Sequence, residues 1–335
     1  MSASVVLASL AASSGNSGMA GMHGMSGTAG LAGMAGMGVR PPIDGHTILT
    51  RWQASPFPIV VAVALIAILA WYLYAVRKVE RRGRHWPVGR TICFTSGLLG
   101  VELALGSSVA VLAGYTFTAH VIQHLLLMIA APPLLAFGAP MTLLLQTCSR
   151  QFKVQVLRVL HSRWFGLLSH PLTVFFLYYL SMYAFFLTGA IGYSMNHMWL
   201  MDLINLGFLG GATLFWWPMV GLDPIVQWKM SPGFKLLNLL IGIPVESFLG
   251  LALLMQSRPV ASMYTLASTH AGGGVLWAAS EAATIVALAP VFAKWAAADQ
   301  REGRRIDARI DAGETIKPPV MEGHGLAASF RAMKR

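Results

Sequence analysis

Long apolar runs alternate with short charged connectors along most of the chain. Seven of the runs reach the roughly 20 residues that a helix needs to cross about 30 Å of hydrocarbon. They fall at about 59–76, 91–113, 119–146, 171–191, 199–219, 236–256 and 273–295. In lipid every backbone amide has to be satisfied internally, so the pattern predicts an all-α, polytopic membrane helical bundle with seven transmembrane helices. The connectors are too short for a second folded domain. The expected organisation is a tail over 1–54, one transmembrane domain over 55–297 and a second tail over 298–335.

Composition agrees with that pattern and narrows it. Of the 335 residues 56% are hydrophobic and only 11% charged, against roughly 25% charged in a soluble domain. A mean hydropathy of +0.62 excludes a disordered chain as well. The formal charge of +11 raises the question of a nucleic-acid partner, but the cations lie in connectors, where topology accounts for them and no nucleic acid is needed. Lys and Arg number six in 77–90, four in 149–170, two in 220–235 and nine in 294–335. The alternate side holds only Arg40, Arg51 and Arg258. This bias predicts an N-terminus outside and a C-terminus in the cytoplasm, in a multi-pass protein of the cytoplasmic (inner) membrane. Cys93 and Cys148 then sit at the reducing face, unpaired. Residues 1–12 are apolar without a positive n-region, so cleavage as a signal peptide is not expected.

Residues 13–39 have a composition of their own. Glycine recurs at every third position from Gly15 to Gly36, and Met19, Met22, Met25, Met34 and Met37 each follow a glycine. The repeat lacks the proline of collagen. So much glycine disfavours a helix, and the segment reads as a flexible extracytoplasmic tether. Its thioethers, with His23, suit a soft ion such as Cu(I); the alternative is a plain low-complexity linker.

The third segment carries the most chemistry. His120, His124 and Met128 are spaced by four, which stacks imidazole, imidazole and thioether on one helical face as a candidate copper column. Pro132 and Pro133 remove two amide donors and free the carbonyls of Met128 and Ile129, which predicts a kink. Glu102, Glu246 and Glu281 interrupt apolar segments, as does Gln123. From the expected segment ends, the three glutamates lie about 12–16 Å deep, in one layer with Met128. Carboxylates there can hold a cation, pass protons or join helices by hydrogen bonds. Nearer the outer surface, Met195, His197, Met198, Met201, Asp202, Met263 and His270, with His46 and His120, form an expected rim of copper-type donors. The connector 149–170 mixes four cations with Val154, Leu157, Leu160 and Trp164 at helical spacing, so it is expected to lie along anionic membrane lipid, with His161 and His170 as ordinary interfacial residues. The tail from Arg301 to Arg309 reads as a solvated extension of the last helix.

Three blocks carry a family resemblance: HVIQHLLLMIAAPPLLAFGAP (His120 to Pro140), LFWWPMVGLDP (Leu214 to Pro224), and GGGVLWAASE followed by KWAAADQREGRRIDAR (Gly272 to Arg309). Over about residues 55–310 the chain resembles the CtaG-like family of seven-helix cytochrome c oxidase assembly factors associated with caa-type oxidases. The resemblance implies a membrane protein that helps to build a haem-copper oxidase, with the oxidase subunits as partners and copper as cargo. His120, Gln123, His124 and the proline pair carry over. The chain departs from the family pattern where Asn205, Gly207 and Glu246 stand in the fifth and sixth segments in place of histidines.

The resemblance and the copper-type donors together imply an assembly factor that handles Cu(I), and no nucleophile, phosphate loop or hydrolytic triad is visible to suggest enzymatic turnover. Met19, Met22, His23 and Met25 would collect the ion, and His120, His124, Met128, His197 and His270 are the candidate intramembrane and rim ligands. A copper permease and a haem-binding membrane cytochrome are the alternatives.

Overall fold

A computed structural model of the chain describes residues 52–53, 55–223, 228 and 230–312. The Gly/Met-rich segment, His46 and the chain beyond residue 312 lie outside the described residues, and so do the readings made on them. Among the described residues the structure is all-helical, without a strand.

In chain order the helices are α1 (Pro56–Glu80), α2 (Val88–Leu105), α3 (Ser108–Ala113) and α4 (Phe117–Leu125), followed after a five-residue π-turn by α5 (Ala131–Phe137) and α6 (Pro140–Thr147). Then come α7 (Arg150–Leu160), α8 (Arg163–Leu168), α9 (Pro171–Leu187), α10 (Ala190–Met195), α11 (Met198–Val220), α12 (Pro232–Leu254) and α13 (Leu266–Asp311). Six stretches are long and apolar enough to cross a membrane: 56–80, 88–113, 117–147, 198–220, 232–254 and 266–301. The remaining expected crossing, 171–191, corresponds to α9, an apolar helix of 17 residues, about 25 Å at 1.5 Å per residue. Apolar residues such as Val60, Ile66, Phe248 and Val286 point outward along the long helices, which is stable when the surrounding solvent is hydrocarbon.

The third predicted segment shows what its sequence imposes. Pro132 and Pro133 have no N–H, so the helix cannot bond back to Met128 and Ile129 in the α pattern. It widens instead into a π-turn over Leu126–Ala130, with the Ala131 N–H returning to the Leu126 carbonyl. The expected kink is therefore realised as a π-turn. The indole of Trp216 donates to the freed Met128 carbonyl at 2.9 Å. After α5 the chain turns at Gly138, where a Cβ would stand 2.6 Å from that of Phe94. Ala139 then adopts a left-handed φ of 46° and caps α6 with no side chain of its own. The carboxylate of Asp223, 81 residues away, does that work: it accepts from the Thr142 amide at 2.7 Å and from the Thr142 hydroxyl.

Three of the basic connectors meet at one end of the bundle. Lys78 and Arg82 donate to the Thr147 and Gln146 carbonyls, and the Trp228 indole donates to Gly166. This agrees with the alternation of charge expected from the sequence. Within the 149–170 connector, Ser149 and Ser162 cap α7 and α8, and no residue of α7 is buried. His161 bonds to the Leu157 carbonyl of its own helix, and the His170 ring accepts from the Leu172 amide, so both play local structural roles.

Candidate functional site

Near the opposite end, α4 holds His120 and His124 in the centre of the main core, 1% and 2% exposed. Their spacing of four stacks them as expected, with the two Nε2 atoms 3.0 Å apart. Aromatic rings enclose the pair. Phe185 stacks on His120 at 5.8 Å, and Phe185, Phe186 and Phe208 meet His124 edge-on at 5.1, 5.6 and 4.9 Å. Phe117 and Tyr264 lie 6.2 and 6.1 Å from His120. Close packing of α13 holds this cage shut. A Cβ on Gly272 would fall 2.5 Å from the Phe117 ring, and one on Gly273 would fall 2.9 Å from the Leu253 side chain.

The residue that orients the pair is Tyr264, on the connector between α12 and α13. Its hydroxyl lies 2.7 Å from the Ala113 carbonyl, 3.2 Å from His120 Nδ1 and 3.2 Å from Met195 Sδ. Burial pushes this phenol above its ordinary value of 10.0, so the hydroxyl keeps its single proton and donates it to the short Ala113 contact. His120 Nδ1–H then donates to the phenol oxygen, which leaves the Nε2 lone pair of His120 facing His124. The Nε2–H of His124 fills that lone pair, and its Nδ1 is buried with no hydrogen-bond partner. The network fixes the direction of both rings from one tyrosine. No sequence signal marked Tyr264, which lies 144 residues from His120.

The other predicted site residues divide. Gln123 is buried, but its amide is spent on the Ala104 carbonyl at 2.9 Å, an acceptor left over where α2 ends. Met128 is buried, and its side chain lines a cavity of about 630 Å³ bounded by Tyr178, Phe185 and Phe208. Met195 reaches the site through Tyr264. His197 bonds to the Tyr193 carbonyl of its own turn at 3.0 Å, and His270 to the Gln256 carbonyl at 2.8 Å; Met198 and Met263 are exposed. Among the described residues the histidines of the expected rim do not gather with Asp202 as a group, and His120 is a core residue rather than a rim residue. Of the expected glutamate layer, two members adjoin across α12 and α13. Glu246 lies 3.5 Å from the Thr284 hydroxyl, and Glu281 accepts from Ser247 at 2.6 Å and from the Trp277 indole at 2.5 Å. Glu102 stands apart, with its Oε2 buried and unpartnered.

Among the described residues, no three of His, Cys, Asp or Glu gather as a metal-binding group. A haem has no place between the two histidines, whose ring centroids are 4.7 Å apart on one helix face.

Fold and site together define a multi-pass helical membrane protein built around a buried imidazole pair. The chain belongs to the cytochrome c oxidase caa3 assembly factor family, whose pattern it matches over residues 70–298. It is 28% identical over 285 residues to uncharacterised proteins of Mycobacterium bovis and Mycobacterium tuberculosis, a match that covers 79% of this chain and 42% of theirs. An uncharacterised protein of Mycobacterium leprae is 26% identical over 281 residues, covering 78% of this chain and 42% of its own. The chain therefore spans less than half the length of these relatives. No solved structure matches it.

Proposed function

We propose that this protein takes up Cu(I) at the His120–His124 pair and passes it on during assembly of a haem-copper oxidase, acting without enzymatic turnover. The observation that carries the reading is the 3.0 Å separation of two buried Nε2 atoms. Once the His124 proton shifts from Nε2 to Nδ1, imidazole–metal bonds of about 2.0–2.1 Å place both Nε2 nitrogens within reach of one ion at an angle of about 95°. Two points select the kind of ion. Four-ligand sites of the zinc type need donors that are not assembled among the described residues. A closed aromatic cage without a carboxylate also penalises a divalent ion more than a monovalent one, because the cost of desolvation rises with charge. Cu(I) accepts a small set of imidazole and thioether donors, and Met195, touching the same tyrosine hydroxyl, is a thioether that could complete it.

In this reading Met19, Met22, His23 and Met25 collect the ion on the outer side of the inner membrane, and oxidase subunits receive it. Anaerobic Cu(I) titration of the purified protein tests this beside a His120→Ala/His124→Ala variant and a variant lacking residues 13–39. The first variant is expected to lose the tightest equivalent, and the second to keep it while losing weaker ones. Unchanged stoichiometry and affinity in both would falsify the copper reading.

A further inference from the structure

The basic end of the bundle holds a pocket unlike the apolar cavities elsewhere. It has a volume of about 400 Å³ and lies where α1 and α6 end and α7 begins, lined by Val79, Arg82, Arg84, Leu145, Gln146 and Lys153. Three of these six are cations and none is acidic.

Local structure explains why the cations gather. The last carbonyls of α6 have no intrahelical donor, and basic side chains answer them: Arg82 Nη1 at 2.9 Å from the Gln146 carbonyl and Lys78 Nζ at 3.1 Å from that of Thr147. Gly83, at a φ of 73°, folds the chain back so that the Arg84 amide returns to Val79. Arg84 and Lys153 are exposed, with their charges open to the pocket.

A second observation places this pocket at the level of lipid headgroups. Lys153 belongs to α7, which buries no residue yet carries exposed Phe152, Val154 and Val159, and is followed by Trp164 at 83% exposure in α8. Arg150 and Arg158 share one face of α7 and the exposed Phe152 and Val159 stand on the opposite one, which is what a helix lying in the membrane interface presents. At about 30 Å³ per water, the pocket has room for a phosphodiester together with its glycerol.

We propose that this pocket binds the headgroup of an anionic phospholipid, with Arg82, Arg84 and Lys153 around the phosphate and α7 and α8 seated in the same leaflet. The site is independent of the histidine pair and of any copper chemistry.

Native mass spectrometry of the full chain in non-ionic detergent tests it, with dioleoylphosphatidylglycerol and dioleoylphosphatidylcholine offered together. Wild type is expected to retain the anionic lipid in about tenfold preference. Arg84→Gln/Lys153→Gln leaves the Arg82 bond to α6 intact, and it is expected to abolish the preference while unfolding at the wild-type temperature in detergent alone. Adding Arg82→Gln should give the same loss. Equal retention of the two lipids by wild type overturns the proposal, and so does a preference that survives in the double variant. Displacement of the lipid by inorganic phosphate would mark the pocket as a site for a free anion and would also overturn it.

Discussion

The indole of Trp216 donates to the carbonyl of Met128 across 88 residues, supplying the hydrogen bond that Pro132 cannot make. The histidine helix therefore depends on α11 at a point four residues beyond His124. Trp216→Phe keeps most of the packing volume and leaves that carbonyl unsatisfied in a dry core, at a cost of about 1–3 kcal/mol. A lower midpoint of thermal unfolding in detergent is expected. Pro132→Ala in the same background returns an amide donor and should recover part of the loss.

Tyr264→Phe removes the hydroxyl that accepts from His120 Nδ1 and nothing else from the ring packing. Partners that orient a ligating histidine are worth about 10–100-fold in metal affinity, so Cu(I) affinity should fall by that order while stoichiometry is kept. An unchanged affinity would show that the orientation of His120 is set elsewhere.

The glycine run in α13 supplies its own control. A Cβ at Gly272 or Gly273 meets Phe117 or Leu253 at under 3.0 Å, whereas at Gly274 the nearest atom is 3.9 Å away. Gly272→Ala and Gly273→Ala should each destabilise by about 1–3 kcal/mol through overpacking. Gly274→Ala should be tolerated, and comparison of the three unfolding midpoints decides the matter.

Burial raises the Asp223 carboxyl above its ordinary value of 3.8, and the bonds from Thr142 and a charge from Arg90 offset only part of that shift. The folded state thus holds a proton that the unfolded state releases, so stability is greatest below the ordinary value and declines as pH rises through the folded one. Asp223→Asn cannot titrate. The unfolding midpoint of wild type relative to this variant should fall as pH is raised from about 4, and a flat difference would show that Asp223 titrates alike in both states.

Six crossings were legible because lipid forces each one to be written as a continuous apolar run, and the histidine pair was legible because a spacing of four is local. Pro132 and Pro133 announced that carbonyls would need partners, though not which donor would come. Trp216, Tyr264 and Asp223 act across 88, 144 and 81 residues, and no periodicity encodes such a meeting. The rim was less legible for a related reason. His197 and His270 have backbone carbonyls close at hand, and depth along a helix says nothing about the direction in which a side chain turns.

The wide turn at Leu126–Ala130 also sets an angular phase. A π-turn takes one residue more than an α turn, so excising one residue there would keep Pro133, Leu134 and Phe137 near their present facing only by closing the turn that holds the proline rings off the preceding carbonyls. Those three side chains now line an apolar cavity together with α11, α12 and α13. A single deletion at this place would press the prolines against the turn that carries the histidines, so the spare residue is what lets one crossing hold both features.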